Sequence, residues 1–231
     1  MAFAFAWAKR TESGEEQKVA KGFLANEERA LNFYRVFSFA YDTLNPSLYT
    51  HAMRKEIVNQ VLNRTDLRVL DVGCGTGYTT TGVLTRKDVS EVVALDMNSV
   101  QLKRAARNLA AEKARTSISK GDADNLPFVN GCFDMAVSVG AVEYFPKPEK
   151  VLVELARVTK PGGVVVVGGP ESVWFSKIAL NRVFYTPSRE EMERIFRTTG
   201  LVEVQTRLTG MKTIFGTGKY VVYTVGRKMA A

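Results

Sequence analysis

The sequence predicts an α/β fold built on a doubly wound, mainly parallel sheet. From residue 68 onward, short apolar segments of strand length alternate with segments of helix length, which is typical of a parallel sheet covered on both faces. The first of these strands runs directly into a glycine-rich turn at residues 73–77. The last two strands have no helix between them, so we expect them to pair as an antiparallel hairpin.

The N-terminal part is predicted to be helical and to cover the sheet. Residues 1–29 are the expected mobile lead-in, because residues 11–28 are largely polar and charged. Apolar residues then recur at three- and four-residue steps over residues 30–44, which indicates one face of a helix. Asn45-Pro46 ends this helix, and a second one follows. Residues 30–62 are therefore the expected helical cover of a single domain that spans residues 30–231.

Strands and helices then alternate to the end of the chain. Asn98 or Ser99 is the expected cap of the helix after the second strand. Two remaining segments, residues 171–185 and 209–219, are candidates for lids or for cover of the core. The predicted strands are residues 68–72, 91–95, 116–120, 135–139, 164–167, 202–208 and 220–227. The predicted helices are residues 76–85, 98–113, 149–159 and 188–200.

The composition limits the cellular role. Of 231 residues 45% are hydrophobic, and no apolar run reaches the roughly 20 residues of a membrane span. Cys74 and Cys132 alone do not indicate a disulfide framework. The net charge of +8 suits an anionic membrane, nucleic acid or simple solubility, but no basic block with interleaved aromatics indicates nucleic acid. We expect a cytoplasmic protein, with peripheral contact to an anionic membrane ahead of nucleic acid.

The turn after the first strand carries the strongest functional signal. Asp71 precedes three alternate glycines, Gly73, Gly75 and Gly77. Glycines let the backbone approach a ligand closely at a helix N-terminus. The spacing G-x-G-x-G differs from that of dinucleotide binders, and no Lys-Ser/Thr pair follows to hold a triphosphate. An acid before the glycines also suits a cationic ammonium group better than a pyrophosphate.

Three further strand ends carry matching groups. They are Asp96 with Met97, Asp122 with Ala123, and Val139 with Gly140. Asp96 can accept hydrogen bonds from both hydroxyls of a ribose, and Met97 can cover one face of an adenine. Asp122 can accept from the adenine amino group. Open α/β sheets bind ligands at the carboxyl ends of their strands, so these groups predict one nucleoside site.

These motifs resemble the motif set of class I methyltransferases. The set comprises Leu70-Asp-Val-Gly-Cys-Gly-Thr-Gly77, Gly121-Asp-Ala-Asp-Asn-Leu-Pro-Phe128, Phe133-Asp134 and Pro161-Gly-Gly163. The resemblance implies S-adenosylmethionine as the cofactor and a Rossmann-like sheet of seven strands in the order 3-2-1-4-5-7-6. It also implies that Tyr34, Tyr41 and Arg54 belong to the N-terminal cover, with Arg54 near the methionine carboxylate. Core packing of an amphipathic helix is the alternative for the two tyrosines.

A narrower resemblance concerns the methyl acceptor. Residues 30–228 are similar to the ubiquinone/menaquinone C-methyltransferases, and most to the 2-methyl-6-phytylbenzoquinol methyltransferases. The motifs are Phe33-Tyr-Arg35, Tyr41-Asp42, Val142-Glu-Tyr144, and Gly169-Pro170 with Trp174-Phe175. This resemblance implies methylation of a ring carbon on a prenylated benzoquinol or naphthoquinol.

The sequence offers only candidates for the catalytic residues and for the residues that bind the methyl acceptor. Glu143, just after the fourth strand, and His51, the only histidine, are the candidate bases for deprotonating a phenol. The candidates for the apolar acceptor site are aromatic and follow the fifth strand: Trp174, Phe175, Phe184 and Tyr185. No His/Cys/Asp cluster indicates a metal site.

Three other functions stay open at this stage. An RNA or DNA methyltransferase suits the charge, but the Asn/Asp-Pro-Pro-Tyr/Phe tetrapeptide of amino-group chemistry is absent, and neither cysteine follows a proline. A methyltransferase acting on a sterol-like lipid or a phenolic oxygen fits the aromatic segment equally well. A non-catalytic partner subunit that binds S-adenosylmethionine is the third alternative.

Overall fold

The computed structural model describes residues 54, 57, 59, 65–142, 145, 148–170, 188–213 and 216–230. The strands are β1 (Leu67–Val72), β2 (Val89–Asp96), β3 (Thr116–Lys120), β4 (Phe133–Val139), β5 (Thr159–Pro170), β6 (Leu201–Thr213) and β7 (Gly216–Lys228). The helices are α1 (Tyr78–Leu84), α2 (Ser99–Asn108), α3 (Pro148–Val158) and α4 (Arg189–Thr198), and a 3-10 helix spans Ala110–Arg115. The predicted lead-in, the rest of the predicted helical cover and the segment 171–185 lie outside the described residues.

The seven strands form one sheet in the order β3-β2-β1-β4-β5-β7-β6, as the resemblance implied. Strands β1 to β5 pair in parallel, whereas β7 runs antiparallel to both of its neighbours. The predicted hairpin of the last two strands is therefore confirmed. Because β1 lies between β2 and β4, the ends of these central strands meet at one edge of the sheet.

Alternation along the central strands builds an apolar core on each face. Val69 and Val164 point to the face covered by α1 and α2, where the buried Ile57 also packs. Leu70 and Val165 point to the opposite face, which α3 and α4 cover. Successive side chains of a strand lie on opposite faces, so strands buried on both sides read as continuous apolar runs.

The structure corrects the single helix predicted over residues 98–113. Helix α2 ends at Asn108, and a 3-10 helix with a non-helical residue at Glu112 follows. Tertiary contacts explain the break: Asn108 Nδ2 donates to the Thr76 carbonyl, and the Arg115 guanidinium donates to the carbonyl oxygens of Leu84 and Val89. Propensity alone carries no information about such distant partners.

Residues 209–219 are not a loop between two shorter strands. The β6–β7 pairing continues through this segment to Thr213 opposite Gly216, so it belongs to a long hairpin. The glycines at positions 210, 216 and 218 suggested a loop, but ladder hydrogen bonds to the neighbouring strand override that local preference. Strand β5 likewise begins at Thr159, five residues before the predicted start.

Candidate cofactor site

Asp71 is a buried carboxylate at the carboxyl end of β1. It lies between Ala94 of β2 and Val137 of β4, and only 1% of its surface is exposed. Its Oδ2 accepts a 2.6 Å hydrogen bond from the Thr80 hydroxyl on α1. Its Oδ1 has no hydrogen-bond partner among the described residues. Burial raises the pKa of Asp71 to about 6, although the Thr80 hydrogen bond and the charge of Arg54 lower it.

The glycine turn joins this acid to α1. Gly73, Gly75 and Gly77 all have a positive φ, between 54° and 89°. A Cβ at Gly73 would lie 2.5 Å from the Ala141 Cβ, and one at Gly77 would lie 2.9 Å from Leu109 Cδ1. A Cβ at Gly75, in contrast, would meet no atom within 4 Å. Packing therefore excludes a side chain at Gly73, Leu109 would have to shift for one at Gly77, and Gly75 leaves open space for a ligand.

Asp96, at the end of β2, contacts this turn through its carboxylate. Its Oδ2 accepts a 2.9 Å hydrogen bond from the Gly75 N–H, and its Oδ1 accepts one of 2.8 Å from the Asn98 N–H. Burial raises the pKa of Asp96. Each carboxylate oxygen has a second lone pair, so both can still accept from a ribose hydroxyl. Met97 beside it is 45% exposed, which suits a side chain that covers a ligand ring.

The ends of β3 and β4 complete the edge. Asp122 is exposed, and its Oδ1 accepts from the Asp124 N–H at 3.0 Å. Ala123 is partly buried against the core. Val139 is buried, and Gly140, with a φ of 71°, donates its N–H to the Gly168 carbonyl at 2.8 Å. The predicted residues at all four strand ends thus lie along one edge of the sheet.

Arg54 is the predicted cover residue that the structure describes. It is buried, with 4% of its surface exposed, and its guanidinium carbon lies 5.2 Å from the centre of the Tyr78 ring. Its charge lowers the pKa of Asp71, the acid that precedes the glycine turn. Eight other predicted site residues lie outside the described residues: Tyr34, Tyr41, His51, Glu143, Trp174, Phe175, Phe184 and Tyr185.

Two contributions to the site were missed in the sequence. Thr80 holds the Asp71 carboxylate, and a threonine in the predicted helix nine residues after the acid was the available signal. Phe145 lies beyond β4, and its Cζ lies 3.9 Å from the Cβ position of Gly73. Nothing in the spacing of Phe145 predicts that approach. Within the described part of the chain, no cluster of His, Cys, Asp and Glu could hold a metal ion.

These groups fit S-adenosylmethionine better than a dinucleotide. The unpartnered Oδ1 of Asp71 is an acceptor for an ammonium group, which a pyrophosphate does not offer. The open face of Gly75 beside Asp96 leaves room for a ribose. Asp122 remains exposed at the next strand end, where an adenine amino group could donate to it.

Comparison with known proteins agrees with this fit. Residues 69–163 match the family described as "Methyltransferase domain". The chain is 36% identical over 202 residues to 2-methyl-6-phytyl-1,4-hydroquinone methyltransferase 2, chloroplastic, of Oryza sativa subsp. japonica, covering 86% of this chain and 58% of the relative. It is 28% identical to the demethylmenaquinone methyltransferase of Desulfitobacterium hafniense, covering 71% of this chain and 79% of the relative. The chain thus spans less than two thirds of the plant protein.

Solved structures show the same fold. Phosphoethanolamine N-methyltransferase 2 of Haemonchus contortus, in complex with S-adenosyl-L-methionine, superposes with a TM-score of 0.66 at 18% identity, covering 79% of this chain and 54% of that one. At this identity the likeness concerns the fold alone. The chain therefore has the class I methyltransferase fold, matches the methyltransferase-domain family over residues 69–163, and is similar in sequence to the phytylhydroquinone and demethylmenaquinone methyltransferases.

Proposed function

We propose that this chain transfers a methyl group from S-adenosylmethionine to a ring carbon of a prenylated benzoquinol or naphthoquinol. The pairing of Asp96 with the N–H of Gly75, beside the open face of the glycine turn, is the observation that carries the cofactor part. A nucleoside needs an acceptor for its ribose hydroxyls and a backbone that allows close approach. These two residues supply both.

The quinol acceptor is supported by the relatives. The plant and bacterial proteins are named for a phytylhydroquinone and a demethylated menaquinone, which are both prenylated rings. The aromatic residues Trp174, Phe175, Phe184 and Tyr185 remain our candidates for contact with such a ring or its prenyl chain. Another lipid or a phenolic small molecule is the alternative acceptor, and RNA is a more distant one.

The residues divide the chemistry between binding and proton transfer. When bound, S-adenosylmethionine supplies an electrophilic methyl group on a sulfonium. Asp71 would hold the ammonium group, Asp96 the ribose and Asp122 the adenine, so that the donor is fixed relative to the acceptor. Alignment of this kind can contribute about 7–11 kcal/mol to the barrier reduction.

Proton transfer would make the ring carbon nucleophilic. A phenol has a pKa of about 10. A base within reach of the phenolic hydroxyl therefore accelerates the reaction by about 10²–10⁴-fold. Glu143 and His51 are the candidate bases for the phenolic proton. The ring carbon would then accept the methyl group that S-adenosylmethionine supplies, and the hydrogen that this carbon carried would leave as a proton to the base or to solvent.

A methyl-transfer assay with radiolabelled S-adenosylmethionine tests this proposal. The panel should contain prenylated quinols, a sterol, a simple phenol and bulk RNA, and mass spectrometry should locate the transferred methyl group. We expect transfer to a ring carbon of a prenylated quinol. A methyl group found on oxygen would contradict the C-methyltransferase assignment, and faster transfer to RNA would contradict the small-molecule acceptor.

We also propose that the protein works at the cytoplasmic surface of an anionic membrane, where a prenylated substrate would be dissolved. Its net charge is +8, and Met97 and Val100 are 45% and 60% exposed beside the exposed Lys103. Anionic lipids attract basic groups, and the attraction is screened within about 10 Å at 0.1 M salt. No described helix is long and apolar enough to cross a membrane.

Co-sedimentation with anionic liposomes tests the membrane proposal. The double variant Lys103→Glu/Lys120→Glu should bind less, because both lysines lie toward the strand ends that carry the candidate site. The control is Arg194→Glu/Arg197→Glu on α4. It makes the same charge change next to β6, at the side of the sheet farthest from β3. Equal losses in the two variants would mean that net charge alone governs binding.

A further inference from the structure

Glu154 and Arg157 form a charged pair on α3. The Arg157 guanidinium donates to both carboxylate oxygens of Glu154 at 2.7 Å. The side chains are only 15% and 28% exposed. Hydrogen bonding to Arg157 lowers the pKa of Glu154, and the carboxylate raises the pKa of Arg157. Both groups therefore stay charged across the neutral pH range.

The same pair completes the backbone hydrogen bonds of the loop after β3. The Leu126 N–H donates to Glu154 Oε2 at 2.8 Å, and Arg157 Nη2 donates to the Leu126 carbonyl at 3.0 Å. Arg157 Nη1 donates to the Phe128 carbonyl at 2.7 Å and to Asn130 Oδ1 at 2.9 Å. Leu126 is buried, so without the pair its N–H and carbonyl would lose these partners.

This loop carries the turn that we expect to contact adenine. The Asn125 N–H donates to the Asp122 carbonyl at 3.2 Å and closes the turn directly before Leu126. On the other side, the Gly121 N–H donates to the Asp96 carbonyl at 3.2 Å. The turn is therefore anchored at one end to the strand of the ribose acceptor and at the other end to α3.

We propose that Glu154 and Arg157 are positioning residues, which set the affinity for the cofactor by fixing residues 122–125 without touching the cofactor. This inference rests on the proposed function, because it assumes an adenine at Asp122. A loop that is ordered before binding loses less conformational entropy when the ligand arrives, so holding it in place raises affinity. Releasing the loop should weaken binding even though no contact atom is removed.

Arg115 offers a matched control on the same protein. It also pairs with a glutamate three residues earlier, Glu112, at 2.7 Å. It donates to the carbonyl oxygens of Leu84 and Val89 at 3.0 and 3.2 Å. These acceptors lie at the end of α1 and the start of β2, which is the edge of the sheet opposite the candidate site. Arg115→Gln therefore removes similar bonds without releasing the loop.

Isothermal titration calorimetry on the full chain tests the role. The ligands are S-adenosylhomocysteine and S-inosylhomocysteine, in which an oxygen replaces the adenine 6-amino group. We expect Arg157→Gln to bind S-adenosylhomocysteine about tenfold more weakly than wild type, Arg157→Lys to be intermediate, and Arg115→Gln to stay within about twofold. Arg157→Gln should weaken S-inosylhomocysteine binding less, because the 6-oxo group of that ligand cannot donate to Asp122.

The outcomes separate the two proposals. If wild-type protein binds S-adenosylhomocysteine but Arg157→Gln behaves like Arg115→Gln with both ligands, the positioning role is wrong and the cofactor assignment stands. Failure of the wild type to bind would overturn both. If Arg157→Gln does not fold, Glu154→Gln replaces it, and the Leu126 amide should then exchange its hydrogen faster. An unchanged ratio of the two affinities in Glu154→Gln would also overturn the positioning role.

Discussion

Asp96 accepts a 2.9 Å hydrogen bond from the backbone N–H of Gly75, which binds the end of β2 to the glycine turn after β1. The two residues are 21 positions apart in the chain. They meet because β1 and β2 pair in parallel, with Val72 beside Leu95. The acid and the open face of the turn therefore form one unit, and a ligand that binds the first also lies beside the second.

Replacing Asp96 with alanine should weaken S-adenosylhomocysteine binding by about 1.5–3 kcal/mol, the usual range for hydrogen bonds to a charged group. Calorimetry measures the change directly. The control is Asp88→Ala, because Asp88 precedes the other end of β2 and pairs with Arg86. If Asp96→Ala keeps full affinity with an intact fold, the ribose assignment is wrong.

Binding of S-adenosylhomocysteine should weaken as the pH falls below about 6. The pKa of Asp71 is raised from 3.8 to about 6 by burial, so its carboxyl becomes protonated in that range and can no longer attract an ammonium group. Thr80→Val removes the hydrogen bond that lowers this pKa, so the midpoint of the affinity profile should move to higher pH. A titration of affinity against pH measures both midpoints.

Asp71→Asn is the control for this pH dependence, and its binding should be weak and nearly independent of pH between 5 and 7.

The raised pKa of Asp71 also has a consequence for folding. The stability that protonated Asp71 contributes is fully present below about pH 4 and is lost as the pH rises through about 6. The stability of the asparagine variant relative to wild type should therefore rise with pH. Urea unfolding that shows the opposite trend would contradict the assigned shift.

Alanine at Gly73 and at Gly75 should affect different properties. Gly73→Ala places its Cβ 2.5 Å from the Ala141 Cβ, so it should cost about 1–3 kcal/mol of overpacking in addition to about 1–2 kcal/mol of backbone strain. Gly75→Ala meets no neighbour, so its stability loss should be limited to the backbone strain, while cofactor affinity should fall. Gly200→Ala, with a φ of 79° and open space, measures the strain alone by thermal unfolding. Equal stability losses at all three positions would refute the packing argument.

Trp174→Ala should lower kcat/KM more for a prenylated quinol than for the bare hydroquinone headgroup. A prenyl chain packed on an aromatic wall gains about 25 cal/mol per Å² of apolar surface removed from water, and the bare ring forgoes that gain. Affinity for S-adenosylhomocysteine should stay constant. Trp7→Ala, in the predicted lead-in, is the matched control. Equal turnover of the two substrates by wild-type protein would contradict a site that binds the prenyl chain.

Local patterns predicted most of the sheet correctly. The predicted strand over residues 116–120 coincides with β3, and the N-cap at Asn98 is confirmed because its side chain accepts from the N–H groups of Val100 and Gln101. The helix after the glycine turn begins at Tyr78, two residues later than predicted, because Gly77 adopts a left-handed conformation as its cap. Cofactor candidates were found because acids and glycines recur at strand ends.

The sequence by itself determined the α/β class, the carboxyl ends of β1 to β4 to within one residue, and the residue types that stand there, because side-chain periodicity and turn chemistry are local properties. The tertiary structure decided which of those groups share a contact. Hydrogen bonds that form only in the folded chain link Gly75 to Asp96, Thr80 to Asp71, and Leu126 to Glu154 on α3. The tertiary structure also ended α2 at Asn108 and extended the β6–β7 hairpin through a glycine-rich segment. These outcomes depend on partners from distant parts of the chain, whose hydrogen bonds and burial outweigh local preference.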